Sequence, residues 1–343
     1  MNDASLFHWS EPQADHVANC VDSFLEQLKQ PTLISQRGKD SSRCRLFVTL
    51  LHGNEPSGLM ALHRWLKSGE QPEVDCYFFI GAVEAAKAEP RLSTRHFSHL
   101  RDLNRCFYGP FHDVPGRIAQ TLIELLDELK PEAVLDVHNT SGSGPSFAVS
   151  SRNDEQHIAL TSLFTERLLL TDNKLGALME LTRDDRPIVT IECGGAIDPE
   201  SARVAWDGLV RFVRYDNVLK EPPHDWNLEV LTDPIRITLT PDTSIAYGDH
   251  GNVDADVTFP VDVEHFNFGR IEKGTVIGEL KQAGLQCIHA TDAQGNERVD
   301  ELLEVRGHEL VNRIGLKCFM ITSNPDIAKS DCLCYAVIDD SPE

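Results

Sequence analysis

Between Arg45 and Arg214 short apolar runs alternate with stretches of helical spacing, and that alternation leaves few folds open to the chain. Arg45–Leu51 and Ala133–His138 are almost continuously apolar, as strands buried on both faces must be. Val74–Ile80, Phe147–Ser150 and Ile188–Glu192 read as further strands. Glu55–Leu66 sets Leu59, Leu62 and Leu66 along one side, and Ile118–Leu129 and Ile158–Leu169 have similar helical character. Asp198-Pro199-Glu200 is a strong helix start: a capping Asp, Pro at the first helical position and an acid in the first turn. It predicts a helix to about Arg214. Ahead of this region come a helix over Val17–Leu28 and a polar loop from Gln36 to Cys44. The alternation predicts an α/β fold, with a mainly parallel or mixed sheet flanked by helices.

The texture changes near Glu221-Pro222-Pro223-His224. Beyond it helical spacing fades, and short β-like runs follow at Ile235–Leu239, Thr275–Leu280, Cys287–His289 and Cys318–Thr322. The expected domains are therefore a large one over residues 1–220 and a smaller β-rich one over 227–343.

The chain carries 54 acidic against 32 basic residues, a formal charge of −22. Such a balance argues against nucleic acid and anionic membrane surfaces, which need clustered Lys and Arg. It also means that an anionic substrate must be gripped by local cations. No run approaches the roughly 18 apolar residues that span a bilayer. Met1-Asn2-Asp3-Ala4-Ser5 has no basic or apolar leader character. The nine cysteines are scattered, with only Cys332 and Cys334 forming a CxC, so reduced thiols and a cytoplasmic location are expected. Nothing in the sequence fixes an oligomeric state.

The sharpest chemical feature is His52-Gly53-Asn54-Glu55, directly after a strand. A His and a carboxylate three apart can reach one metal when the chain turns between them, and zinc accepts a His₂Glu set. Spacing alone is weak evidence: His8-Trp9-Ser10-Glu11 repeats it with no strand before it. Position is what distinguishes His52 and Glu55, because ligands of open α/β sheets gather at the carboxyl ends of strands. His138 sits at another strand end. Asp136, two residues earlier on the same face, is placed to orient its ring. Alone, His138 reads as an ordinary buried histidine bonded to Asp136; several strand-end features in register favour a ligand. Glu192, at a third strand end, suits a general base, or else a structural acid. Asp102-Leu103-Asn104-Arg105 joins an amide to a planar cation that can grip a carboxylate, although an isolated Asp-x-x-Arg reads more simply as a surface salt bridge.

Taken in order, HGNE, DLNR, DVHNT and IECGG resemble the succinylglutamate desuccinylase/aspartoacylase family, a branch of the zinc carboxypeptidase-like superfamily, over about Arg45 to Val213. Phe266-Asn267-Phe268-Gly269-Arg270-Ile271-Glu272-Lys273-Gly274-Thr275 is a weaker echo in the C-terminal part. The resemblance implies one Zn²⁺ per chain on His52, Glu55 and His138, with Glu192 as the proton-shuttling acid/base. It implies Asn104 and Arg105 on the substrate carboxylate, with Arg183 as a second substrate-binding arginine across a one-residue gap. Two departures stand out. The family's carbonyl-polarising arginine has three candidates here, Arg91, Arg95 and Arg101, none at the expected spacing. A substrate-reaching tyrosine has no counterpart around Ser323-Asn324-Pro325-Asp326. The implied activity is hydrolysis of an anionic or zwitterionic N-acyl amino acid; a carboxypeptidase and a non-catalytic metal- or metabolite-binding protein are the rivals.

Overall fold

The computed structural model describes residues 6–220, 227–248, 255–281, 284–330 and 332–339. Met1–Ser5, read as having no leader character, and the break at Glu221–His224 lie outside these. The described chain forms two compact units: residues 6–139 with 146–230, and 140–145 with 231–339.

The first unit runs β1 (Phe7–Ser10), α1 (Val21–Gln27), β2 (Thr32–Gln36), β3 (Asp40–Thr49), α2 (Ser57–Ser68), β4 (Val74–Ile80) and α3 (Val83–Lys87). It continues with α4 (Val114–Leu129), β5 (Ala133–Thr140), β6 (Phe147–Ser150), α5 (Glu155–Ser162), β7 (Arg167–Leu170), β8 (Ile188–Gly195) and α6 (Pro199–Arg214). With β9 (Glu229–Leu231) the strands form one sheet in the order β1-β2-β4-β3-β5-β8-β6-β7-β9. Pairs β1–β2, β4–β3, β3–β5 and β6–β7 are parallel, while β2–β4 and β6–β8 are antiparallel. The sheet is thus mixed, as the strand–helix alternation predicts.

Both faces of the sheet are covered. Phe47, Leu135 and Val137 pack with Leu59, Leu62 and Trp65 of α2 and with Leu209 and Phe212 of α6. Their strand neighbours Leu46, Val48 and Val134 turn the other way, onto Leu122, Leu125 and Leu126 of α4. This two-sided burial is why β3 and β5 read as continuous apolar runs. At the start of α2, an added Cβ on Gly58 would lie 2.2 Å from Thr49 Oγ1, so the helix can approach the sheet this closely only with glycine there.

Several boundaries differ from expectation. The polar stretch before Cys44 is partly strand, because β3 starts at Asp40, and β1 and β2 carry no strong periodic signal. The expected helix Ile158–Leu169 is a shorter α5 capped by Asp154, followed by β7, whose Arg167–Leu170 lies parallel to β6. β5 and β8 run two and three residues further than expected, to Thr140 and Gly195. Asp198 does precede α6, yet its side chain makes no capping hydrogen bond.

The second unit holds β10 (Ile235–Leu239), β11 (Ile245–Tyr247), β12 (Val257–Phe259), β13 (Arg270–Ile271), β14 (Val276–Leu280) and β15 (Ile288–Thr291). It adds α7 (Val299–Leu302), β16 (Leu303–Arg306), β17 (Glu309–Asn312), β18 (Leu316–Phe319), α8 (Pro325–Ser330) and β19 (Cys334–Ile338). Its strands make two five-stranded sheets, β13-β18-β19-β10-β15 and β11-β12-β14-β17-β16. Cys332 is buried here, and Cys334 opens β19 opposite Ile237, so the CxC belongs to a packed interior. The Phe266-Asn267-Phe268 echo also has a structural role. Asn267 donates to Ser143 O and Ile321 O and accepts from Ile321 N, while Glu264 accepts from Ser143 N and Ser323 N. Among the described residues no helix is long and apolar enough to cross a membrane.

Candidate active site

β3 ends at Thr49, and the turn that follows carries His52 and Glu55 before α2 begins at Ser57. β5, beside β3 in the sheet, carries Asp136 and His138 on one face. These elements bring His52, Glu55 and His138 together: one ligand atom from each lies within 4.8 Å of the others, and all three residues are buried. Among the described residues no other cluster of His, Cys, Asp and Glu does this. His8 and Glu11, the repeat of the spacing, are exposed, and Glu11 Oε1 instead accepts from Arg37 N at 2.7 Å.

The two imidazoles share one carboxylate. His52 Nδ1 faces Glu55 Oε1 at 2.8 Å, and His138 Nδ1 faces Glu55 Oε2 at 2.6 Å. On the far edge of each ring waits an aspartate: Asp102 Oδ1 is 2.8 Å from His52 Nε2, and Asp136 Oδ1 is 2.9 Å from His138 Nε2. A carboxylate behind Nε2 favours a proton there and leaves the Nδ1 lone pair for the shared face, the arrangement that ligating histidines require. Burial would raise the pKa of Glu55, but the facing imidazoles outweigh it and hold the carboxyl below the usual range. Two imidazoles and one carboxylate, buried and convergent, suit a zinc ion.

Glu192 lies on β8, and its Oε2 is buried with no hydrogen-bond partner. Burial pushes its pKa up to about 7, with the Glu55 charge adding and the charges of His138 and His52 opposing. A carboxyl poised there can both take and return a proton near neutral pH. Arg95 reaches the same place: Nη1 is 3.3 Å from Glu55 Oε1 and Nη2 is 3.2 Å from Asp102 Oδ2. Arg101 is committed to Asp113 at the start of α4, and Arg91 to Glu26 and Glu89. Of the three arginines that spacing could not separate, Arg95 is the one that contacts Glu55 and Asp102.

Asn104 is buried, its Oδ1 accepting from Leu178 N at 3.0 Å and its own N–H donating to Asp102 Oδ1 at 2.8 Å. Arg105 folds back so that Nη1 donates to Asn104 O at 2.9 Å, and its charge helps hold Asp102 ionised. Arg183 is not brought to this cluster. Its side chain is 60% exposed and pairs with Asp127 of α4 at 3.5 Å, where the buried Arg186 also pairs at 3.0 Å. The residue that sequence reading missed is Asp102, taken there only as part of an Asp-x-x-Arg. In the second unit, Tyr247 Oη donates to Thr322 O at 2.7 Å, beside the segment where the resemblance expects a tyrosine.

Residues 47–213 match the sequence model of the succinylglutamate desuccinylase/aspartoacylase catalytic domain. No curated protein matches the sequence. Among solved structures, a succinylglutamate desuccinylase/aspartoacylase from Rhodobacter sphaeroides is 14% identical with a TM-score of 0.58, over 89% of this chain and 87% of its own. A succinylglutamate desuccinylase from a Silicibacter species gives 16% and 0.56, over 90% and 88% of the two chains. Murine aminoacylase 3 gives 15% and 0.51, over 88% and 100%. At these identities the likeness is one of fold.

Proposed function

We propose that this chain, whose residues 47–213 form a catalytic domain of the succinylglutamate desuccinylase/aspartoacylase family, is a zinc-dependent hydrolase of the amide bond in an N-acyl amino acid. The observation that carries the reading is the convergence of His52, Glu55 and His138 within electrostatic reach of Glu192, whose Oε2 is buried with no hydrogen-bond partner. A zinc ion on those three residues supplies Lewis acidity, acidifying water and polarising a carbonyl.

The chain's own groups do the rest. Glu192, raised towards neutrality by burial, takes a proton from the attacking water and returns it to the leaving nitrogen. Arg95 offers its guanidinium to negative charge growing on the carbonyl oxygen, a kind of contact worth about 3 kcal/mol per donor. Asp102 fixes the His52 ring through its Nε2, and the Asp136 charge lies 2.9 Å from His138 Nε2. Arg105, next to Asn104, supplies the local cation that a carboxylate substrate needs on a chain of charge −22.

Metal analysis of the purified protein and of His138→Ala, with assays on N-acetyl-aspartate and N-succinyl-glutamate, tests this. About one zinc per chain, lost in the variant and paired with turnover, is expected. Absence of any specific metal would overturn the reading.

A further inference from the structure

His138 is followed by Asn139, buried at 3% exposure in a strand with no exposed position. Strand alternation turns its side chain away from His138, to the face that packs on α2 and α6. There Oδ1 accepts from Ser57 N at 3.0 Å, while Nδ2 donates to Ser57 Oγ and to Gly194 O, both at 2.9 Å. The Asn139 backbone N–H also points at Glu55 Oε2, 3.4 Å away.

The partners are what matter. Ser57 opens α2, two residues after Glu55, and Gly194 lies on β8, two residues after Glu192. Gly194 has φ of 101°, a conformation that L side chains rarely adopt, and its carbonyl is the one Asn139 grips. One carboxamide therefore spends its acceptor and both donors on the backbone segments that carry the other two groups of the centre. No other side-chain type of this size offers an acceptor and two donors in one plane.

We propose that Asn139 is the positioning residue that keeps Glu55 and Glu192 in register with His138. Its kinetic half rests on the hydrolase reading above; its metal-binding half needs only that the triad holds a cation. The two ties can be cut separately. In Asn139→Asp the carboxylate still accepts from Ser57 N and from the Ser57 hydroxyl, but it cannot donate to Gly194 O and repels it. In Asn139→Ala both ties are lost.

The test measures Zn²⁺ affinity by competition with a chromophoric chelator, and kcat and KM at saturating Zn²⁺ on whichever of N-acetyl-aspartate and N-succinyl-glutamate the native protein hydrolyses. Asn139→Ala is expected to weaken Zn²⁺ binding by about 10–100-fold, as loss of a group supporting metal ligands does. Asn139→Asp is expected to keep the native Zn²⁺ affinity to within about threefold while kcat falls up to about 100-fold, the effect of misplacing a reacting group by an ångström. A purely structural Asn139 would lower the melting temperature yet leave kcat per bound zinc and Zn²⁺ affinity native in both folded variants, and that result would overturn the proposal. Equal loss of Zn²⁺ affinity in the two variants would overturn the separate ties. Should Asn139→Ala not fold, Asn139→Asp decides alone. If the native protein binds Zn²⁺ but hydrolyses neither compound, the hydrolase reading fails for them, and the affinities still decide the metal-binding half.

Discussion

Asp102 reaches His52 from behind: its Oδ1 lies 2.8 Å from Nε2, on the ring edge opposite Glu55. The same carboxylate accepts from Asn104 N and meets Arg95 Nη2 at 3.2 Å through its other oxygen. Burial would push its pKa up, but the His52 charge, with Arg95 and Arg105, holds it well below the usual carboxylate range. It is therefore an ionised anchor for one candidate ligand and for one arginine. Replacing Asp102 with Ala should weaken zinc binding by about 10–100-fold. Asn at this position keeps an acceptor for Nε2–H and should lose less. Chelator competition on the three proteins checks the order, and equal affinities would show that His52 needs no support.

Arg95 alone among the three candidate arginines touches the Glu55–Asp102 pair. Truncating it to Met should lower kcat by about 10²–10³, the range for removing one donor to a developing oxyanion. Arg91→Ala should leave turnover unchanged, since that side chain serves surface acids. Steady-state kinetics separates them. A native kcat in Arg95→Met would send the polarising role elsewhere.

Arg105 and Arg183 were joined by resemblance and are parted by the structure. Arg105 lies beside Asp102, whereas Arg183 is mostly exposed on Asp127. Arg183→Ala should change KM by less than about twofold, as expected of an exposed pair of small energetic value. Arg105→Ala should raise KM for an anionic substrate about tenfold or more, the loss of one charge-assisted contact. If Arg183→Ala raises KM as much as Arg105→Ala, Arg183 moves to the substrate when it binds.

How legible the molecule is depends on the kind of signal. Val74–Ile80, Phe147–Ser150 and Ile235–Leu239 stand in the structure with the bounds that apolar patterning predicts. β1 and β2 were missed because each is short and carries too few periodic residues to stand out. The helix expected over Ile158–Leu169 holds only to Ser162, because the short apolar run Arg167–Leu170 can serve strand or helix, and pairing with β6 decided for a strand. In the site, His52, Glu55, His138, Asp136 and Glu192 are legible because each sits at or near a strand end. Asp102, Arg95 and Asn139 matter through contacts 40 to 82 positions away in sequence, which no local spacing reveals.

Arg45 shows the same limit for stability. Fully buried on β3, it pairs with Glu132 at 2.6 Å and donates to the carbonyls of Phe212, Tyr215 and Asp216 at the end of α6. Those carbonyls have no helical donors of their own. Arg45→Ala would strand the Phe212 and Tyr215 carbonyls and leave Glu132 and Asp216 O to Arg43 alone, and should cost about 3–5 kcal/mol. Urea unfolding of the native and variant proteins measures this. A loss under about 1 kcal/mol would mean that water replaces the guanidinium without penalty.

On the proposed mechanism Glu192 sets the pH dependence. A general base must be ionised, so activity should fall as pH drops through its pKa and be full above it. Burial is the main cause that carries Glu192 from 4.5 up to about 7. A cation on the adjoining triad favours the charged form and pulls the value down again. The acid limb of kcat/KM should therefore lie between 4.5 and about 7 when the triad is loaded. Glu192→Gln should abolish that limb and lower kcat by about 10²–10⁴, because the amide can neither take nor return the proton. Zinc binding should survive, since Glu192 is not one of the converging three. Measuring the pH profile and metal content together makes the result decisive. A variant that keeps zinc and near-native turnover removes Glu192 from the chemistry, and one that loses zinc makes it a ligand instead of a base.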